Sequence, residues 1–360
     1  MMMTMIKITP VLTVLVLVAT QLVAYVTATT PATPTTPAAD VNGQLPQGWT
    51  FPSSSSSTTT TTTTAVVTGG TKGIGKAIVE GLAQHPSQGG CRVFTCSRNY
   101  EELQQCLEEW HAKGYDVHGV QADVSTPVGR DQLMTKIRQW LSKDQSKDQD
   151  QDQDSSSDNL RLDILVNNVG TNIRKPSIDY TPEEIAAVWN TNYHSMFDLT
   201  MKCYPLLKNR RRPSEDDNSK NGNESSEKIQ KTGTTSSVVM ISSVAGVTCM
   251  KSGTPYASTK AAMNQLCGNL ACEWGPSGIR VNCVAPWYIN TPLAEQVLKN
   301  PEYRKSVLDV TPLGRVGESE EVAGIVVFLC LPIADWITGQ VISVDGGFTR
   351  QGYYDSFFRG

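Results

Sequence analysis

Metal-binding spacings are missing from this chain. Its nine cysteines include no CxxC pair, and its four histidines fall into no His/Cys ligand pattern, so no metal centre is expected. A disulfide framework has equally little support. The cysteines lie in apolar runs such as "VFTC" (93–96) and "NLACEW" (269–274) and read as buried thiols. Basic stripes are missing too. Apart from "KNRRRP" (208–213), no cationic cluster interrupts a chain of formal net charge −4, which argues against a nucleic-acid partner. What is present is 360 residues, 39% of them hydrophobic. That excludes global disorder and leaves room for one large domain or two small ones.

The first residues stand apart from the fold. Lys7 precedes an almost wholly apolar run, "VLTVLVLVATQLVAYVTA" (11–28), which ends in the small residues of "VTA". Residues 1–28 read as a cleavable signal peptide, or as an uncleaved N-terminal anchor with membrane association through 11–28 alone. The signal implies the secretory pathway or an organelle. The Ser/Thr/Pro-rich stretch 29–64 reads as a solvated linker, and because it holds no Lys or Arg, it supports a plastid import signal only weakly. Residues 65–360 should form the folded domain. Two polar runs interrupt it, 142–158 ("SKDQSKDQDQDQDSSSD") and 209–237, and both read as disordered surface loops. The second contains a sequon, Asn223-Glu224-Ser225, which reads as a chance occurrence unless the domain enters the secretory lumen.

Between these runs, strands and helices alternate. "AVVTGG" (65–70), "CRVFTCS" (91–97), "VHGVQADV" (117–124), "LDILVNNVG" (162–170), "SVVMISS" (237–243), "RVNCVAP" (280–286) and "GQVISVDGG" (339–347) read as strands. Helices are expected at 76–85, at 99–114, from after 124 to Trp140, from Thr181 onward, at 255–274 and at 318–331. Asn99 with Glu102, and Thr181-Pro182-Glu183-Glu184, offer helix-start signals of the capping-box kind. Continuous apolar strands alternating with helices predict an α/β fold with a doubly wound parallel sheet, Rossmann-type, in a single domain.

Three stretches carry chemistry. "VVTGGTKGIGKAIVEGL" (66–82) leaves the first strand and opens the first helix, with Gly69, Gly73 and Gly75 spaced G-x-x-x-G-x-G. Such glycines let backbone turn tightly and approach a pyrophosphate on the helix N-terminus. At the end of the second strand, "TCSRN" (95–99) has no acid to grip a ribose 2′-hydroxyl. It offers Ser97 and Arg98 instead, with Lys72 in the glycine loop, a set that suits a 2′-phosphate and so NADP(H). In "SSVAGVTCMKSGTPYASTK" (242–260), Tyr256 and Lys260 sit one helical turn apart, and Ser243 ends the preceding strand. An ammonium one turn away would lower the pKa of a phenol, which could then exchange a proton with a carbonyl oxygen polarised by the serine.

These stretches, with "NNVG" and "VDGG", resemble the ordered motifs of the classical short-chain dehydrogenase/reductase family over nearly all of residues 65–350. "NNVGTNIRKP", "AMNQLCGNLACEW" and "VNCVAPWYINTPL" resemble its tropinone reductase-like branch, which shares Trp287 where many members have glycine. "NNVG" carries Val169 where alanine is usual. The resemblance implies an NADP(H)-dependent oxidoreductase interconverting a ketone or aldehyde and a secondary alcohol. Tyr256 would be the acid/base, with Lys260 lowering its pKa and holding the nicotinamide ribose. Ser243 would orient the substrate, and Asn192 would hold a relay water. On the cofactor, Gly69, Lys72, Gly73, Ile74 and Gly75 would line the pyrophosphate and adenosine side, and Asp123 would meet the adenine. Asn167 would anchor the fourth strand nearby, and Ile289 and Thr291 would contact the nicotinamide amide. A homodimer or homotetramer packed through helices near 190–207 and 256–274 is also implied.

Substrate walls are expected from 171–176, 247–254 and an apolar lid from Trp287 to about Val316 carrying Tyr288, Leu293, Val297, Tyr303 and Leu313. Trp287 itself reads equally as a packing residue. Arg174 and Lys175 read as a solvated pair, attraction of an anionic substrate being the alternative. Both polar insertions follow a helix and precede a strand, so they should emerge opposite the site. The alternatives to a small-molecule reductase are a 3-oxoacyl-carrier-protein reductase, a nucleotide-binding protein without turnover and a membrane-tethered scaffold.

Overall fold

Seven strands, all parallel, form one sheet in the order β3-β2-β1-β4-β5-β6-β7. They are β1 Thr64–Thr68, β2 Arg92–Ser97, β3 Val117–Gln121, β4 Ile164–Asn167, β5 Ser236–Ile241, β6 Ile279–Pro286 and β7 Val341–Val344. This computed structural model describes residues 62–84, 90–145, 160–208 and 235–352, all within one compact unit, Gln47–Gly360. The proposed signal or anchor, the linker up to residue 61 and most of both insertions lie outside the described residues, and Thr64, read as the linker's last residue, opens β1. Among the described residues, no helix is long and apolar enough to cross a membrane.

The central strands are buried end to end, β1 as Thr-Ala-Val-Val-Thr and β6 over all of its length. A strand covered on both faces needs apolar residues at successive positions, because neighbouring side chains point to opposite sides. Val66 enters one core with α3 (Pro127–Gln145), α5 (Ser195–Leu207) and α6 (Thr254–Trp274). Its neighbours Ala65 and Val67 enter the other, with α1 (Gly73–Ala83), α2 (Tyr100–Ala112) and α9 (Ser319–Cys330). This is the doubly wound, Rossmann-type sheet expected. The strand order reverses between β1 and β4, which opens a crevice at their carboxyl ends.

Several boundaries differ from expectation. Helix α3 continues to Gln145, so residues 142–145 are helical, and β5 begins at Ser236, inside the second stretch read as a loop. The expected lid contains two short helices, α7 (Pro292–Leu298) and α8 (Pro301–Asp309), capped by Thr291 and Asn300. Helix α4 (Pro182–Trp189) opens on the full Thr181/Glu184 capping box. Helix α2 has only half of its expected box. Asn99 accepts from the Glu102 N–H at 2.9 Å, but the Glu102 carboxylate turns away to Thr71 and Lys72. Seven cysteines are buried thiols, while Cys249 and Cys272 are exposed: α6 turns Cys272 outward between buried Ala271 and Trp274.

Candidate active site

The carboxyl ends of the strands and the loops after them enclose a cleft of about 670 Å³. Its first wall is the turn from β1 into α1, where Gly69, Lys72, Gly73, Ile74 and Gly75 line the cleft. Gly73 has φ +52°, a left-handed conformation that favours glycine, and a Cβ there would come within 3.0 Å of Thr291 Cγ2. A Cβ at Gly75 would lie 2.2 Å from the Gly69 carbonyl oxygen. Lys72 caps α1 without a side-chain hydrogen bond, and no acid stands in the first turn. The first N–H groups of α1 are therefore uncapped by side chains and face a cleft kept narrow by glycine, as a bound pyrophosphate requires. Thr291 and Ile289 line the opposite lip, Ile289 being fixed by a bridge to Gly317.

At the end expected to take adenosine, Ser97, Arg98 and Asp123 line the cleft. The Asp123 carboxylate accepts from the Ser125 N–H at 3.0 Å and from its hydroxyl at 2.7 Å. Arg98 is exposed and has no carboxylate within ion-pair distance among the described residues, whereas Lys72 pairs with Glu102 at 2.9 Å. Glu102 also accepts from the Thr71 hydroxyl, and these bonds hold its carboxyl below the usual range against the opposing effect of burial. Residues 95–99 hold no acid, yet this corner has one. Glu102 reaches it from the first turn of α2. Arg98 is thus the cation left without an acidic partner there.

At the reaction end, Ser243 lies two residues past the end of β5, not in the strand as expected, and caps a short 3-10 turn, accepting from the Ala245 N–H at 3.1 Å. Gly253, at φ +77°, turns the chain into α6, and Pro255 starts it. The first turn of α6 then carries Tyr256 into the cleft beside Ser243, and the next turn brings Lys260 beneath. Lys260 is 3% exposed, donates to the Ile241 carbonyl at 2.7 Å and lies 5.6 Å from the centre of the Tyr256 ring. Burial lowers the Lys260 pKa to about 8. The expectation that Lys260 depresses the phenol needs correcting. Burial raises the Tyr256 pKa, opposed by the Ser243 hydroxyl and the Arg174 charge, while the Lys260 ammonium donates to the Ile241 carbonyl. Two adjacent hydroxyls, Ser243 and Tyr256, are placed to bond one carbonyl oxygen.

Two expected residues do not line the cleft. Asn167 is the buried last residue of β4, and its Nδ2 donates to Thr200 Oγ1 at 2.9 Å in the helix layer. Asn168, one position on, faces the cleft instead, donating from Nδ2 to the Thr68 and Gly69 carbonyls at 3.0 Å and so bracing the glycine turn. The doubled asparagine was visible, but which member faced the cleft depended on where the strand ends. Asn192 is fully buried in a π turn, Asn190–His194, between α4 and α5. Its amide is held by the Thr171 backbone and Thr259 Oγ1. Yet it borders the site: a Cβ on Gly170 would lie 3.5 Å from Lys260 Nζ and 3.6 Å from Asn192 Oδ1. Gly170, the last residue of "NNVG", keeps that gap open.

Of the expected lid residues, Tyr288, Leu293 and Tyr303 line the cleft. Val297 packs within the lid's own small core, and Leu313 is exposed away from the cleft, its N–H bonded to Gly346. Trp287 lines the cleft and also packs, stacked on Phe348 with ring centres 3.8 Å apart, its Nε1 donating to Thr311. Among the described residues, no group of three or more His, Cys, Asp or Glu side chains could hold a metal ion.

Comparison with known proteins agrees with this architecture. Residues 63–214 match the family model described as short chain dehydrogenase, and residues 223–349 match one described as enoyl-(acyl carrier protein) reductase. A tropinone reductase homologue of Arabidopsis thaliana is 46% identical over 80% of this chain and 92% of its own length. A chloroplastic tropinone reductase homologue of the same plant is 44% identical over 80% of this chain and 76% of its own. The solved NADP active-site complex of Pseudomonas aeruginosa RhlG superposes with a TM-score of 0.64 at 29% identity, covering 79% of this chain and 96% of that one. With its parallel sheet, glycine turn and relatives of this closeness, the chain belongs to the short-chain dehydrogenase family of oxidoreductases and resembles the tropinone reductase homologues within it.

Proposed function

We propose that the chain is an NADP(H)-dependent reductase interconverting a ketone or aldehyde and a secondary alcohol. The observation that carries this reading is the meeting of Ser243, Tyr256 and Lys260 in the same cleft as the glycine turn of α1. A nicotinamide bound there supplies or accepts the hydride. The protein's own groups do the rest. Ser243 and Tyr256 hold the carbonyl oxygen, the phenol gives or takes the proton, and Lys260 replenishes it from the buried gap beside Gly170 and Asn192. Arg98, exposed and without an acidic partner among the described residues, favours a 2′-phosphate over a bare ribose. A related structure solved with NADP supports the same preference. A homo-oligomer packed through α5 and α6 belongs to this reading.

The test is a carbonyl panel run with NADPH and NADH. The expected result is NADPH preferred by about 30-fold or more in kcat/KM, with most of that preference lost in Arg98→Ala. Equal rates with both coenzymes would remove the NADP assignment. A 3-oxoacyl-carrier-protein reductase is the second reading; the family model matched at 223–349 is described by another acyl-carrier-protein reductase, one acting on the enoyl double bond, and so bears only on the carrier-bound kind of substrate. Turnover of acetoacetyl thioesters well above that of free ketones would select it.

A further inference from the structure

Arg174 stands in the loop after β4, half-buried, lining the cleft at its reaction end. Its charge is felt by two phenols there. It opposes the rise that burial gives to the pKa of Tyr256 and of Tyr288. Tyr288 is itself tied to Tyr303 by a 2.6 Å bond between their hydroxyls. The neighbouring Lys175 behaves differently. It pairs with Glu184 at 2.5 Å and lies 5.4 Å from the centre of the Tyr180 ring. The two cations are therefore not a solvated pair. One is neutralised outside, and the other is turned inward.

No carboxylate answers the inward one. Among the described residues none lies within ion-pair distance of Arg174, and the cleft lining contains a single acid, Asp123, at the adenosine end. The reaction end thus holds two cations, Arg174 and Lys260, and no lining acid. A guanidinium half out of water is tolerable while the cleft is wet. It becomes costly when a neutral substrate fills the cleft and drives out the water, since the charge is left unpaired. A substrate bringing its own anion removes that cost, and the planar fork of arginine bonds a carboxylate through two parallel N–H groups.

We propose that Arg174 selects the substrate of this site, and that the substrate is a carbonyl compound carrying a carboxylate, an oxo acid or the corresponding hydroxy acid. The inference rests on the reductase reading above and names its substrate class. The carbonyl sits at Ser243 and Tyr256, the carboxylate at Arg174, and the Tyr288–Tyr303 pair walls the space between them. The phosphates of the cofactor are met elsewhere, at the glycine turn and beside Arg98, so Arg174 is free for the substrate.

The experiment uses matched pairs with NADPH: pyruvate, acetoacetate and levulinate, each against its methyl ester. The free acid should exceed its ester in kcat/KM by about tenfold or more for at least one chain length. In Arg174→Met, the acid should lose about 30-fold more than the ester does, mostly through KM, and Arg174→Lys should restore part of the difference. The wild-type ratio of acid to ester needs no variant and stands even if a substituted chain folds poorly. Esters preferred in every pair, or equal losses for acid and ester in Arg174→Met, would overturn the inference. A chain that binds NADPH yet reduces neither member of any pair would overturn the reductase reading itself, a distinguishable outcome.

Discussion

Lys260 is an ammonium held at 3% exposure with a backbone carbonyl, not a carboxylate, as its nearest partner. Such a group costs the fold stability, and function is the usual reason to keep one. Its folded pKa, about 8, lies below the reference value of 10.5, so the folded chain binds fewer protons than the unfolded chain between those values. Stability therefore rises with pH across that window, and the cost of burying Lys260 is fully present below about 8. Lys260→Met should be more stable than the natural chain at pH 7, by up to ~3 kcal/mol, with the gap closing as pH approaches 10. Thermal unfolding of both chains across that range checks this, and a gap independent of pH would count against it. At this scale the sequence was partly legible. Tyr256, Lys260 and Ser243 stood out by spacing. The inward turn of Arg174 did not, since Arg174 and Lys175 look alike in sequence and only the fold gives Lys175 to Glu184 and Arg174 to the cleft. Nor did Glu102, whose carboxylate leaves its own helix cap to reach Thr71 and Lys72.

Elements place these side chains by how they end. Strand β4 stops at Asn167, so Asn167 belongs to the helix layer and Asn168 to the cleft, a parity that a one-residue error in the strand end reverses. The π turn Asn190–His194 buries Asn192 at the joint between α4 and α5, where an uninterrupted α-helix was the simpler expectation. Opposite it, Gly170 leaves room between Lys260 Nζ and Asn192 Oδ1 that an alanine would fill at ordinary contact distances of 3.5 and 3.6 Å. Gly170→Ala should therefore fold with little change in melting temperature yet lose about tenfold or more in kcat, because the space beside the ammonium is occupied. An unaltered kcat would show that the gap has no part in proton supply. The capped helices α7 and α8 were hidden for a different reason. They are short, and their apolar residues serve a small local core rather than a long periodic stripe.

Across the whole molecule, the topology decides what the chain can tolerate. Every strand is parallel, so all carboxyl ends, and the cleft with them, lie on one edge of the sheet. Both polar runs join the end of a helix to the start of a strand, α3 to β4 and α5 to β5, which is the opposite edge. Replacing residues 146–159 and 209–234 by short polar linkers should leave kcat/KM within about threefold, and a loss beyond tenfold would show that one of them reaches the site. The alternation of apolar strands and helices made this architecture legible from sequence, because burial on both faces requires it. The account as a whole rests on the Tyr256 phenol as the proton donor to a carbonyl in a nicotinamide-binding cleft. The most direct measurement compares NADPH-dependent carbonyl reduction by the natural chain and by Tyr256→Phe, with NADPH binding followed by fluorescence in the same samples. The account predicts a fall in kcat of about a thousandfold or more with NADPH still bound. Turnover by Tyr256→Phe close to that of the natural chain would contradict it.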